Sequence, residues 1–266
     1  MKRPFRLGLS TLGCPTFSLD EVLALAAGQG IAAVELRALE GTMDLPALFA
    51  RHGLEALRAV QGRHGAVQVL AFSTSFKLVH SCEADRAALL AFVPWAEALG
   101  VPWLRVFDGG EASDNETVSQ ATETFHWWRE LRDRQGWKVD IMVETHDGLV
   151  TSEAIGRFCT EATSVAILWD AHNTWRKTGT APLELWPHIA EHVMHIHVKD
   201  SVSRPSDGLP YSFVLPGKGE FPMKPLVDAL KRDGYTKAVS LEWELQWHAE
   251  LPSLELALQA ANRGWW

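Results

Sequence analysis

Four short apolar runs in this chain end on a residue that can ligate a cation. Glu144 stands in VETH, Asp170 in LWDAH, His197 in HIHVKD and Glu242 in SLEWE. Three carboxylates and one imidazole form a hard, oxygen-rich donor set with a formal charge of −3. That much like charge does not converge without a cation to offset it. The set suits Mn²⁺ or Mg²⁺, with Zn²⁺, Co²⁺ or Fe²⁺ as further options, because such sites accept several divalent ions. A single carboxylate at the start of a loop is usually a surface ion pair. Four ligand-type residues at one structural level are better explained by a shared site. Glu244 has the same strand parity as Glu242 and is the alternative fourth ligand.

The elements that must position these residues alternate along the whole chain. Apolar runs predict strands at Arg6–Ser10, Ala32–Arg37, Ala66–Phe72, Trp103–Phe107, Val139–Glu144, Val165–Asp170, Val193–Val198 and Ala238–Glu242. Amphipathic patterns predict helices near Leu19–Gln29, Leu45–Gln61, Asp85–Leu99, Glu116–Gln135, Ser152–Cys159, Pro182–His192, Met223–Arg232 and Pro252–Ala261. Ser18 followed by Glu21 has capping-box spacing, Asp44 can cap the second helix, and Gly100 and Gly136 stop the third and fourth. Alternation of this kind implies a parallel sheet, and the absence of a Pro/Ser-rich linker implies one domain over residues 1–266.

Strand parity sharpens the fold. Val139, Ile141 and Val143 share one face, and Asp140, Met142 and Glu144 the other; Met194, Ile196 and Val198 alternate with His195, His197 and Lys199. Strands of an open doubly wound sheet are covered on both sides and read apolar on both. Here one face is apolar and the other becomes charged toward the C-terminal end. A closed barrel with a polar mouth produces that pattern, so the expected class is α/β, a (β/α)₈ TIM barrel. The length agrees, at about 33 residues per β-α unit.

Composition excludes several functions. Lys and Arg number 25 against 33 Asp and Glu, a net charge of −8, which argues against a phosphate-backbone surface and thus against nucleic-acid binding. The first ten residues lack the apolar run of a signal peptide, and no stretch is long and apolar enough to span a bilayer. Three widely spaced cysteines, Cys14, Cys82 and Cys159, form no CxxC, so a cytoplasmic setting is expected.

The motifs, taken in order, resemble the sugar phosphate isomerase/epimerase superfamily. These are the xylose isomerase-like barrels that include ketose 3-epimerases, hydroxypyruvate isomerase and inosose dehydratase. The resemblance runs through GLSTLGCP, GIAAVELR, VETHDG, WDAHNTW, HIHVKDS, LPGKGEFP and DGYTKAVSLEWE. It implies a metal held by Glu144, Asp170, His197 and Glu242, the set already singled out by parity. It also implies that Glu144 and Glu242 flank a hydroxyketone, one carboxylate removing a proton beside a metal-bound carbonyl and the other returning one through an enediolate. The expected activity is therefore that of a metal-dependent sugar or sugar phosphate isomerase or epimerase, with a small sugar-like molecule as partner.

Further residues are candidates for substrate contact. His172 resembles a family position where a histidine touches the substrate, with an ordinary loop histidine as the plain reading. His146 either orients a ligand or caps its loop. Lys199 shares the face of His197 and either reaches substrate oxygens or pairs with Asp200 or Glu242. Arg204 lies on the following loop, where some ketose epimerases carry a substrate-binding arginine. Trp175 and Trp247 sit beyond strand ends, where a ring can stack on a sugar or serve a subunit contact, which leaves homo-oligomerisation open. Trp169 and Trp243 have outward parity and are expected in the core, with Trp265 and Trp266 docked on the barrel or on a neighbouring molecule. Glu35 and Arg37 are expected to form an ion pair at the mouth, and Gly217-Lys218-Gly219 to form a turn.

Three rival readings share the barrel. A dehydratase of the inosose or dehydroshikimate type uses the same first proton abstraction and then expels a β-hydroxyl. An apurinic endonuclease needs extra histidines on strands three and four and a D-x-H pair after strand seven; VFDGG and HVKDS lack them, and His80 is the one remnant. A non-catalytic sugar-binding barrel needs no intact ligand set.

Overall fold

The computed structural model of the protein describes residues 4–206 and 208–266. The first half comprises β1 (Arg6–Ser10), α1 (Leu19–Gly28), β2 (Ala33–Leu36), α2 (Leu45–His52), α3 (Leu54–Arg63), β3 (Gln68–Lys77), α4 (Glu83–Leu90), α5 (Val93–Leu99), β4 (Trp103–Phe107) and α6 (Asn115–Gln135). The second comprises β5 (Asp140–Glu144), α7 (Ser152–Ala162), β6 (Ile167–Asp170), α8 (Ala171–Thr178), α9 (Pro182–Ile189), β7 (Val193–Val198), β8 (Asp200–Val202), β9 (Ser212–Val214), α10 (Met223–Arg232), β10 (Ala238–Leu241) and α11 (Leu254–Asn262). Eight strands close into a parallel barrel in the order β1-β10-β7-β6-β5-β4-β3-β2. The helices flank it in a single domain, so the fold is the expected (β/α)₈ barrel.

Local chemistry accounts for the element ends. Ser18 and Glu21 form the predicted capping box, Glu21 Oε2 accepting the Ser18 N–H at 2.8 Å. Asp44 accepts the Ala47 N–H, with Pro46 in the first turn, where a missing donor does no harm. The second predicted helix is divided at Gly53, whose φ of 80° lies where a side chain is strained. The third is divided before Pro94, which cannot donate to the Leu90 carbonyl. Three elements were not anticipated: α8, which starts directly on the end of β6, and the antiparallel strands β8 and β9 beyond β7.

Parity sorts the side chains as expected. Val34, Ile141, Val143, Ile167, Trp169, Ile196, Val198, Val239 and Leu241 face the helices and join one continuous core. Trp169 stacks on Trp186 at 5.8 Å between ring centres, and Trp243, just beyond β10, is fully buried and donates to the Pro252 carbonyl. Removing either indole would cost about 3–5 kcal/mol. Inside the barrel, small clusters such as Ala71, Met142 and Leu168 fill one end. Toward the C-terminal ends of the strands the lumen becomes polar, holding Glu35, Arg105, Glu144, His195 and His197, all buried.

Candidate metal centre at the barrel mouth

Register brings the ligand-type residues together. Asp170 of β6 lies opposite His197 of β7, His197 opposite Ser240 of β10, and Glu144 of β5 opposite Leu168 of β6. Glu242 follows the last residue of β10 and donates its N–H to the Val198 carbonyl. Glu144, Asp170, His197 and Glu242 each offer a donor atom, and those four atoms lie within 4.8 Å of one another. Two oxygens on opposite sides of one ion, each at about 2.0–2.4 Å, span a similar distance. All four side chains are buried. Glu144 Oε2, Asp170 Oδ2 and His197 Nδ1 are enclosed and meet their neighbours as ion pairs rather than as formed hydrogen bonds. Three buried carboxylates and an imidazole converging at this spacing fit a divalent cation.

Asp170 divides its two oxygens between structure and site. Oδ1 accepts the Asn173 N–H at 2.8 Å and caps α8, while Oδ2 faces Lys199 Nζ at 3.0 Å. Glu144 meets Arg105 Nε at 3.2 Å through Oε2 and His197 Nδ1 at 3.4 Å through Oε1. Glu242 Oε1 lies 3.3 Å from the same Nδ1, and its Oε2 takes a short hydrogen bond from Lys199. Glu244 is set apart: its carboxylate is partly exposed and accepts from Lys199 at 2.6 Å.

The charges order themselves by burial and by partners. Burial works to raise the Glu144 carboxyl, yet the Arg105 guanidinium holds it down at about 2. Burial likewise opposes the ionised Glu242, which His197 and Lys199 keep well below the usual carboxylate range. Burial raises Asp170, and the Lys199 ammonium only partly offsets it. Lys199 itself, penalised by burial, is held well above its ordinary value by Asp170, Glu242 and Glu244.

Two buried aspartates position the surrounding loops. Asp108 accepts the N–H groups of Gly110, His146, Asp147 and Gly148 at 2.7–3.0 Å, clasping the loop after β5. Asp200 accepts those of Ser201, Gly217, Gly219 and Phe221 at 2.8–3.1 Å. The Gly217-Lys218-Gly219 turn thus wraps an internal carboxylate, and Asp200 does not pair with Lys199.

The other candidates occupy distinct places. His146 and Lys199 line a cavity of about 540 Å³ with Asn173, Arg176, Tyr211 and Glu244, joined to the ligand cluster through Lys199, which pairs with Asp170 and Glu242. His146 is half-exposed and contacts Asp147 Oδ1 at 2.8 Å. His172 is fully buried, with Nε2 2.7 Å from Ser201 Oγ and its ring among Trp175, Tyr211, Phe213 and Phe221. Burial, then Lys199 and Arg176, push it well below the usual imidazole value. Trp175 is half-buried, packed on that ring and under the Arg176 guanidinium. Arg204 is exposed on the turn between β8 and β9, and Trp247 is 52% exposed; neither lines the cavity. His80 lines a separate cavity with Lys77 and Glu111 and joins no ligand cluster among the described residues.

Two expectations need correction or addition. Glu35 does not pair with Arg37: it turns to His197 and His195, whereas Arg37 donates to the Ser73 carbonyl and Ser75 Oγ. Arg105 was not singled out, although its odd placement in WLRVF, a charge amid a buried strand, is a signal for an internal ion pair. Asp108, in VFDGG, carries a weaker signal, since an aspartate before glycines also fits a plain turn.

Comparisons with known proteins agree with this architecture. Among solved structures, a xylose isomerase domain-containing protein from Salmonella typhimurium LT2 superposes with a TM-score of 0.77 at 16% identity, covering 99% of this chain and 97% of that one. The probable 3-DHS dehydratase AsbF of Bacillus anthracis, involved in petrobactin synthesis, gives 0.75 at 15% identity over 97% and 99%. The IolI protein, solved with a bound zinc atom, gives 0.74 at 19% identity over 97% and 96%. At such identities these likenesses show the fold. No curated protein sequence matches the chain. The sequence family described as xylose isomerase-like TIM barrel matches residues 23–262, and the chain belongs to that family.

Proposed function

We propose that the protein is a divalent-metal-dependent isomerase or epimerase of small sugar-like hydroxyketones, acting by proton transfer at the carbon beside a carbonyl. One observation carries this reading. Glu144 and Glu242 approach a single atom, His197 Nδ1, from two non-adjacent strands at 3.4 and 3.3 Å. Two carboxylates in that relation can serve opposite faces of one planar intermediate. Glu144, Asp170, His197 and Glu242 are the proposed ligands, and a cation there supplies the Lewis acidity that acidifies the substrate C–H.

The remaining roles belong to the chain's own groups. Glu144 and Glu242 are the proposed proton-transfer pair, one carboxylate removing a proton and the other, once it has accepted one, returning it. Arg105 keeps Glu144 ionised and ready to accept a proton. Lys199 holds a proton against Glu242 Oε2 and, from the cavity wall, is placed to bind substrate oxygens. His146 and the aromatic wall behind His172 are the proposed substrate-side contacts. A cytoplasmic setting belongs to the same proposal and rests on three unpaired cysteines. Among the described residues no helix is long and apolar enough to cross a membrane.

A dehydratase outcome has one observation in its favour. His146, half-exposed on the cavity wall two residues beyond Glu144, is opposed by burial but raised above its ordinary value by Asp147 and Glu144. Such a group can donate a proton to a leaving hydroxyl.

The test is a screen of ketoses, aldoses and inososes in D₂O with Mn²⁺, followed by NMR for C–H exchange and by absorbance for an enone. Exchange without absorbance supports isomerisation or epimerisation, and enone formation supports the dehydratase. Glu144→Gln and Glu242→Gln are each expected to lower exchange at least 100-fold, the scale of a general acid or base. Full exchange in both variants would mean that the assignment is wrong.

A further inference from the structure

The lumen holds one more ionised group that the reaction above leaves unassigned. Glu35, on β2, is fully buried. It reaches across the barrel to β7, which is not a neighbour of β2 in the sheet order, and its two oxygens lie 2.8 and 2.9 Å from His197 Nε2. Among the described residues its ion-pair partners are two histidines, His197 and, at 3.5 Å, His195. His195 is already engaged, with Nε2 2.7 Å from Ser240 Oγ. Arg37, the nearest cation in sequence, is turned toward β3.

A carboxylate enclosed in a lumen is expensive to retain as filler, since an apolar side chain of similar volume is usually as good or better there. Its contact with His197 has a definite chemical consequence. In the neutral imidazole, the form that ligates a metal, an Nε2–H donated to a carboxylate leaves the lone pair at Nδ1. His197 Nδ1 has no hydrogen bond and points between Glu144 Oε1 and Glu242 Oε1. The same contact pins the plane of the ring and makes Nδ1 more electron-rich. We propose that Glu35 is the positioning residue of the metal centre, a buried anion that sets the tautomer and orientation of His197 so that Nδ1 faces the three ligand carboxylates. This assignment rests on the metal-site reading given above.

The alternative use of the same atoms, a separate cation held by Glu35, His195 and His197, fits less well. Those three do offer donor atoms within 4.8 Å of one another. However, Glu35 stands at hydrogen-bond distance from His197 Nε2, and the Ser240 hydroxyl already takes His195 Nε2.

The test reads metal binding directly. Mn²⁺ is titrated by EPR into the full-length wild type, into Glu35→Gln, and into Ser240→Ala as a lumen control. Glu35→Gln keeps the shape and an acceptor oxygen but removes the charge. It is expected to bind one Mn²⁺ about 10–100-fold more weakly than wild type, whereas Ser240→Ala binds as wild type. Equal affinity in wild type and Glu35→Gln overturns the assignment and leaves the metal site standing. Failure of the wild type to take up Mn²⁺ or Zn²⁺ overturns the metal-site reading, and the assignment with it. Two ions per chain in wild type and one in Glu35→Gln assigns Glu35 as a ligand and overturns the positioning role. A second measurement needs no variant: ¹⁵N-resolved NMR of histidines in Zn²⁺-loaded wild type. A proton on Nε2 of His197 with Nδ1 bound supports the proposal, and the reverse pattern overturns it.

Discussion

Arg105 of β4 and Glu144 of β5 form an ion pair sealed inside the barrel, Nε to Oε2 3.2 Å, with both side chains at most 2% exposed. The guanidinium lies 4.0 Å from the centre of the Phe107 ring, so its plane is fixed by stacking as well as by charge. This pair explains how a carboxylate in a closed lumen remains ionised. The Glu144 carboxyl, drawn down to about 2, contributes stability above its ordinary 4.5 that disappears as the pH falls toward 2. Arg105→Met should raise that pKa and shift the acid limb of the pH–rate profile upward by a unit or more. It should also destabilise the metal-free protein by about 3–5 kcal/mol, the usual effect of stranding one member of a buried pair. Arg105→Lys should not restore either property, because an ammonium cannot reproduce the stacked fork. pH–rate profiles and urea unfolding of the two variants check both points.

Lys199 places one ammonium against three carboxylates, those of Asp170, Glu242 and Glu244. Without a bound divalent ion it shares with His197 the work of offsetting their repulsion. Lys199→Met should therefore lower the melting temperature of chelator-treated protein. Saturating Mn²⁺ or Mg²⁺ should then raise it by several degrees more than it raises wild type. Equal metal-induced shifts in the two proteins would show that the ammonium carries no such burden.

His195 is fully buried, and burial takes its imidazole from the ordinary 6.5 down to about 4. The unfolded chain binds the proton in this interval and the folded chain does not. The associated stability is complete above pH 6.5 and is lost as the pH falls toward 4, at about 1.4 kcal/mol per unit. In chelator-treated protein, urea unfolding from pH 8 to pH 4.5 should show this slope in wild type. The profile of His195→Gln should be flatter by that amount.

Gly219 has no room for a side chain, since a Cβ there would stand 2.1 Å from Asp200 Oδ1. Gly219→Ala should push the Asp200 carboxylate off the four N–H groups it gathers. Each donor left enclosed and unpaired costs about 1–3 kcal/mol. The expected result is a clear loss of stability together with faster proteolysis between β8 and α10. Limited proteolysis with mass mapping of the cleavage sites checks it.

Much of this molecule is legible from sequence because barrel strands repeat a simple rule. Val139–Glu144 and Val193–Val198 alternate, so the apolar face and the charged face are visible in the residue order, and the four ligand-type residues stand at the strand ends where the barrel opens. Helix punctuation is legible for the same local reason, as Ser18 with Glu21 shows. The divisions at Gly53 and Pro94 were readable too, but both helical patterns run through them, and periodicity outweighed the breakers. Helix α8 was missed because Asp170 serves two elements at once. Its residue type announces a ligand, while its role as N-cap becomes plain only when the Asn173 N–H is seen to meet Oδ1.

Partner choice among charges lay beyond sequence. Glu35 and Arg37 share a strand face and opposite charges, which made an ion pair the natural expectation. In three dimensions the closed lumen offers Glu35 a histidine from across the barrel, 162 residues away, at shorter range than its own neighbour. Arg105, Asp108 and Asp200 follow the same pattern: each is an unremarkable charge in sequence, assigned its role by a contact with a distant strand or loop. Hydrophobic alternation is a local property of the backbone, so composition and spacing were enough to specify the barrel, its mouth and the residue types gathered there. Which anion meets which cation inside that mouth depends on strand register, barrel closure and the exclusion of water, and those exist only once the chain has folded.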